Sequence, residues 1–182
     1  MNKIIKSFVV IFAVVLSFTS TSCDEFSSFP INIPFSITVV TQGSNASISE
    51  STTYCLNQSE TYQDYVDDIE GLTFVEAAWR TDTVKIPLTG TIEVTVKIVG
   101  GATLFQKTLA GTNPADYKSP NAPYVLTLTD AEIQALNSYL NSYLENPNQC
   151  LDVSVKATVT AGTPPYYLRG IVDIVVEADT KI

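Results

Sequence analysis

From Thr91 to Val99 the chain reads TIEVTVKIV, with polar and apolar residues alternating at every step as far as Ile98. Ile92, Val94, Val96 and Ile98 fall on one side; Thr91, Glu93, Thr95 and Lys97 fall on the other. A period of two is the side-chain period of a β-strand. Such a strand has one face on a core and one face in water. That favours an antiparallel sheet over a parallel one, whose strands are apolar on both faces. Leu151 to Thr160 (LDVSVKATVT) repeats the pattern, with Leu151, Val153, Val155, Ala157 and Val159 inward.

The rest of the chain fits around these two strands. Phe35, Ile37 and Val39 alternate within FSITVVT, a further strand. Residues 42–60 are polar and rich in Ser, Asn and Thr, and read as a connection. Tyr62, Tyr65, Val66 and Ile69 have helical spacing, and Gly71 is placed to end a short helix. Leu72 to Arg80 reads as a strand with Thr73, Val75, Ala77 and Trp79 on one face. Gly100-Gly101 joins Thr91–Val99 to Ala102–Leu109 as a hairpin whose turn needs positive φ at both central residues. A proline-rich loop over 110–123 leads to a short strand, Tyr124 to Leu128. Thr129-Asp130-Ala131-Glu132 is a capping box. It predicts an amphipathic helix over 130–145, with Ile133, Leu136, Leu140 and Leu144 inward and Asn137 and Asn141 outward. Tyr167 to Ala178 is expected to pair with 151–160 as a second hairpin. The fold expected is mainly β, an antiparallel β-sandwich of eight strands. An immunoglobulin-like arrangement is the leading form, with the helix crossing between the sheets or plugging one end.

The N-terminus carries a different message. Lys3 and Lys6 precede an unbroken apolar run, Phe8 to Leu16, and then the small polar stretch SFTSTS. That order is the order of a secretory signal. The run is well short of the ~20 residues a membrane-spanning helix needs. Phe18-Thr19-Ser20-Thr21-Ser22-Cys23 resembles the lipobox of bacterial lipoproteins in the relaxed form found in Bacteroidota, with Ser20, Thr21 and Ser22 replacing the commoner Leu, Ala and Gly. The resemblance implies cleavage before Cys23, fatty acyl chains (palmitate among them) on that cysteine, and anchoring in the cell envelope. Asp24 and Glu25 resemble the surface-export signal of some Bacteroidota lipoproteins. They also resemble the inner-membrane retention signal of enterobacteria. The outer membrane is the expected location, on its periplasmic or its surface side. The chain then divides into a removed signal peptide (1–22), a lipidated tether (23–34) and one β-rich domain (35–182).

Loss of Lys3 and Lys6 leaves eight Lys and Arg against nineteen Asp and Glu, so the net charge falls from −9 to −11. A chain this acidic is repelled by nucleic acid, and no nucleic-acid partner is expected. Export places Cys55 and Cys150 in an oxidising compartment, and the pair is expected to form a disulfide. The chain has no histidine. That removes Ser-His-Asp and Cys-His catalysis and the usual zinc ligand sets. No cofactor and no metal are expected. Asp64, Asp67, Asp68 and Glu70 lack the spacing of a calcium loop and read as a solvated face.

Tyr117, Tyr124, Tyr166 and Tyr167 flank prolines in loops and are the candidate ligand-binding residues. Asp82-Thr83-Val84 resembles the O-glycosylation motif of exported Bacteroidota proteins, with Thr83 as acceptor. The mature domain carries no motif of a named family. The expectation is a non-enzymatic, lipid-anchored binding or assembly module with a protein or glycan partner. Two alternatives are a carbohydrate-binding module of a glycan-uptake system, with Tyr166, Tyr167 and Tyr117 coplanar on one open face, and a histidine-free hydrolase using paired carboxylates.

Overall fold

The computed structural model describes residues 28–85 and 88–181. Eight strands build two antiparallel sheets: β1 (Ser28–Gly43), β2 (Ser47–Tyr54), β3 (Ile69–Val84), β4 (Thr89–Ile98), β5 (Thr103–Thr112), β6 (Tyr124–Val125), β7 (Leu151–Ala161) and β8 (Tyr166–Lys181). Two helices, α1 (Glu60–Tyr65) and α2 (Asp130–Glu145), complete the described chain with two short 3₁₀ turns, Leu56–Gln58 and Pro114–Tyr117. One sheet has the order β1-β8-β3-β6 and the other β2-β7-β4-β5. The β-sandwich is therefore as the alternation predicts.

Its topology differs from the expected immunoglobulin-like form. β1 pairs with β8, β2 with β7, β3 with β6 and β4 with β5. The chain is thus folded back on itself about the β4–β5 turn, and the doubled chain is then wound into two sheets. That is the jelly-roll arrangement. An immunoglobulin sheet instead sets its first strand beside its second. For the same reason 151–160 and 167–178 do not form a hairpin. β7 lies between β2 and β4, β8 lies between β1 and β3, and residues 162–165 cross from one sheet to the other.

Other elements depart from expectation for local reasons. β1 begins at Ser28, so residues 28–34 belong to the sandwich rather than to a tether. Pro30 and Pro34 are tolerated because β1 is an edge strand, where a missing N–H can face away from the ladder. β2 lies within the stretch read as a polar connection. It too is an edge strand, and of its residues only Ile48 is buried. In β3 the register with β8 slips between Phe74 and Glu76. This bulge puts Leu72 inward before it and Ala77, Trp79 and Thr81 inward after it, leaving Thr73 and Val75 exposed. The β4–β5 turn is centred on Val99 and Gly100, closed by the Gly101 N–H donating to the Ile98 carbonyl at 2.8 Å. Only Gly100 needs a positive φ there, at 70°.

α2 begins at the expected capping box, with Thr129 and Glu132 each accepting from the other's backbone N–H. Its buried face is Leu136, Tyr139, Leu140 and Tyr143, rotated from the predicted stripe. Asn137 and Asn141 turn toward β3 instead of solvent. Asn137 Oδ1 accepts from the Phe74 N–H at 2.7 Å, and Asn141 accepts from the Leu72 N–H at 3.4 Å. β6 spans only two residues and covers β3 at Ala78 and Trp79. The helix amides bond β3 backbone that β6 does not reach, so α2 covers a sheet edge that would otherwise be open. The Lys107 ammonium of β5 lies 2.5 Å from the Glu132 carboxylate and ties the helix to the second sheet.

Trp79 sits at the centre of the core, fully buried. Its six-membered ring lies directly against the α-carbon of Gly170 on β8.

Candidate functional site

Strand direction gives the sandwich two poles. Ser28, Ile69 and Lys181 mark the basal pole, since Ser28 is the register partner of Lys181 and Ile69 of Thr180. Gly43, Val84 and Tyr166 mark the distal pole, where Gly43 meets Tyr166 and Val84 meets Leu168. β1 has 16 residues, and at ~3.3 Å per residue it covers about 50 Å between them. Cys23 lies outside the described residues.

The basal half is closed. Cys55 follows β2 and Cys150 precedes β7, and their disulfide continues the β2–β7 pairing one step past Tyr54 and Leu151. Tyr62, Tyr139 and Tyr143 pack beside it, with ring centroids 5.8 Å apart for Tyr62–Tyr143 and 6.2 Å for Tyr139–Tyr143. The Tyr139 hydroxyl donates to the Gln149 carbonyl at 2.7 Å, and Tyr143 accepts from the Asn57 N–H at 3.0 Å. Burial, reinforced by the Tyr143 and Tyr62 hydroxyls, pushes the Tyr139 phenol well above its ordinary range. The apolar void nearby, lined by Phe35, Leu136 and Ile174 among others, is only about 10 Å³. Asp64, Asp67, Asp68 and Glu70 do not converge. Among the described residues no three such side chains form a cation cage, and Glu70 is held by Lys181 at 3.2 Å.

The distal pole is open. The end of β1 with the residue after it (Gln42–Ser44), Lys85 just past β3, and Pro165 with the first residues of β8 (Tyr166 and Tyr167) surround a cleft of about 380 Å³. The Lys85 ammonium lies 4.5 Å from the centroid of the Tyr167 ring, a cation–π contact. Gln42 is the register partner of Tyr167 on the neighbouring strand, so an amide, a phenol and an ammonium form one outward row across three strands. In the next row Arg169 Nε lies 3.4 Å from the Asp82 carboxylate, which also accepts from the Thr83 hydroxyl at 3.0 Å. Thr83 is half-buried near the end of β3.

The four candidate tyrosines do not form a common platform. Tyr166 and Tyr167 are consecutive in β8 and point to opposite faces. Tyr166 is only 8% exposed, and its hydroxyl donates to the Gly162 carbonyl at 3.5 Å. Tyr117 and Tyr124 pack edge to face, centroids 5.3 Å apart at 84°. A coplanar stacking surface is therefore corrected to one cleft with one ring. Lys85, Gln42 and Ser44 carry no sequence motif. The available signal was their position at the ends of strands flanking a Pro-Pro-Tyr-Tyr run.

A second depression, also about 380 Å³, lies on the outer face of the β2-β7-β4-β5 sheet among Ser49, Glu50, Ser51, Glu93, Asp152 and Lys156. Here carboxylates and lysines are interspersed. Lys97 lies 3.1 Å from Asp152, and Lys156 is the register partner of Glu93. No helix among the described residues is long and apolar enough to cross a membrane.

No family model matches the chain, and no curated protein does. Among solved structures, two viral chains are similar to it at a low level. A chain of Desmodium yellow mottle tymovirus is 11% identical with a TM-score of 0.40, over 85% of this chain and 89% of that one. A chain of Mud crab tombus-like virus is 13% identical with a TM-score of 0.35, over 93% of this chain and 98% of that one.

Proposed function

We propose that the chain is a lipid-anchored, non-catalytic lipoprotein of the cell envelope, seated in the outer membrane, whose domain is a binding or assembly module. The observation that carries this reading is the polarity of the sandwich relative to Cys23. β1 starts five residues after that cysteine and runs to the opposite pole, where the open cleft lies. An anchor at Cys23 therefore leaves the distal loops facing away from the bilayer. Two or three acyl chains give a stable anchor where one alone gives marginal binding.

The non-catalytic part rests on residue chemistry. The chain has no histidine. The outer-face depression holds carboxylates, but Asp152 and Glu93 are each set beside a lysine. A hydrolytic pair needs one carboxyl able to donate a proton and another able to attack or activate water, which is a different arrangement.

The test is Cys23→Ala in the full chain. The expected result is release of the protein from the membrane fraction and loss of incorporated labelled fatty acid. Retention in the membrane, or continued acylation, would overturn the anchor.

A further inference from the structure

We infer that the distal cleft between Gln42–Ser44, Lys85 and Pro165–Tyr167 binds an acidic sugar, a pyranose bearing a carboxylate. The inference rests on the binding-module reading and names the ligand class of that module.

Three observations lead to it. First, the cleft is a local cationic spot on a strongly acidic chain. Among the described residues no carboxylate lies within ion-pair reach of Lys85. The nearest row's carboxylate, Asp82, is engaged by Arg169 and Thr83. Lys85 is instead oriented by the Tyr167 ring at 4.5 Å. Its ammonium thus keeps its donors free for an incoming anion, with little freedom left to lose on binding.

Second, the remaining lining suits hydroxyl groups. Gln42 offers an amide, Ser44 a hydroxyl and Tyr167 a phenol, while Pro165 gives an apolar wall. An amide and two hydroxyls can each donate and accept, as sugar hydroxyls require.

Third, the setting argues against a peptide. The cleft sits over β8, an interior strand bonded on one side to β1 and on the other to β3. From Leu168 onward its backbone donors and acceptors are committed to those ladders, and the free edge of β1 lies on the side away from β8, so an extended peptide lying over β8 has no ladder to extend. Recognition must come from side chains. The volume of about 380 Å³ is at the small end of ligand sites, enough for a short saccharide. The depression on the other sheet has no aromatic ring, and its lysines sit among three carboxylates, Glu50, Glu93 and Asp152.

The experiment is isothermal titration calorimetry on the full-length lipidated protein in detergent micelles, with trigalacturonate as probe. A neutral galactose trisaccharide and triglutamate serve as comparison ligands. Trigalacturonate is expected to bind with a Kd on the order of 1 mM, and more weakly as salt is raised. Lys85→Ala and Tyr167→Ala should each weaken it about tenfold, whereas Lys85→Arg keeps most of the affinity. Lys156→Ala, in the other depression, should change nothing. Wild-type thermal unfolding of each variant shows that the sandwich is intact. Absence of binding, equal binding of the neutral trisaccharide or of triglutamate, or full affinity in Lys85→Ala would each overturn the inference. Those outcomes leave the anchor reading untouched, because that is decided by fractionation of Cys23→Ala.

Discussion

Gly170→Ala puts a single methyl group where the structure has no space for one. An added β-carbon would fall inside the contact envelope of Trp79 Cη2, Cζ2 and Cζ3. Carbon atoms pack at about 3.5–4.0 Å, so the indole would have to move by roughly 2 Å. Trp79 is fully buried, and the residues after it on the inner face of β3 and before it on β8 are buried as well. Overpacking at a site that can relax costs about 1–3 kcal/mol. If the ring is instead expelled, ~150–250 Å² of buried aromatic surface is lost, worth about 4–6 kcal/mol at 25 cal/mol per Å². The expected destabilisation is therefore about 3–5 kcal/mol, near the upper limit for one methyl group. Urea unfolding followed by fluorescence is the direct assay, because Trp79 is the sole tryptophan and reports its own displacement. A cycle with Trp79→Phe makes the test specific. In the smaller-ring background Gly170→Ala should cost at least about 1 kcal/mol less than in the wild type. A loss below about 1 kcal/mol in the wild-type background, or strict additivity in the cycle, would refute the reasoning.

Three further outcomes follow from the helix and the disulfide. Burial opposes ionisation of Glu132, but hydrogen bonds from Lys107 and from the Thr129 backbone and hydroxyl prevail and hold its carboxyl at about 2, below the ordinary value of 4.5. A depressed carboxylate stabilises the fold above its unfolded value. That stability should be lost as pH falls from about 4.5 toward about 2, and Glu132→Gln should remove about 1–2 kcal/mol at neutral pH but little at pH 2, read from urea midpoints. Asn137→Ala leaves the Phe74 N–H without its partner at the helix–sheet junction and should cost about 1–3 kcal/mol, with faster amide exchange at Phe74. Cys55→Ala with Cys150→Ala opens a link between residues 95 apart in sequence and should cost about 2–5 kcal/mol in thermal unfolding.

Where the sequence was legible, one physical rule dominated locally. The β4 and β7 alternations and the Thr129–Glu132 box each fix their element without help from distant residues. Topology is a different matter. Ile92 and Val153 point inward whichever strands lie beside them, so period two cannot separate an immunoglobulin order from a jelly roll. β2 escaped notice because an edge strand can satisfy the fold with Ile48 alone, and β1 hid its first residues behind two prolines that only an edge position permits. The inward faces of Asn137 and Asn141 were illegible because their partners are backbone groups of β3, which carry no sequence signature. The distal cleft was half legible. Tyr167 stood out beside its prolines, while Lys85 and Gln42 became relevant only when three strands brought them into one row.

The pairing of β1 with β8 has a kinetic consequence. These strands lie at opposite ends of the described chain, and β8 also supplies the only full-length partner of β3. Until β8 has been synthesised, β1 and most of β3 have no ladder to join. The closing steps therefore bring together segments far apart in sequence, and such topologies fold slowly. Under the export signal proposed above, late closure would keep the segment that follows it extended while the remainder is still being made. A mutant truncated before β8 would leave two long strand edges bare, and its expected fate is aggregation or proteolysis rather than a smaller sandwich.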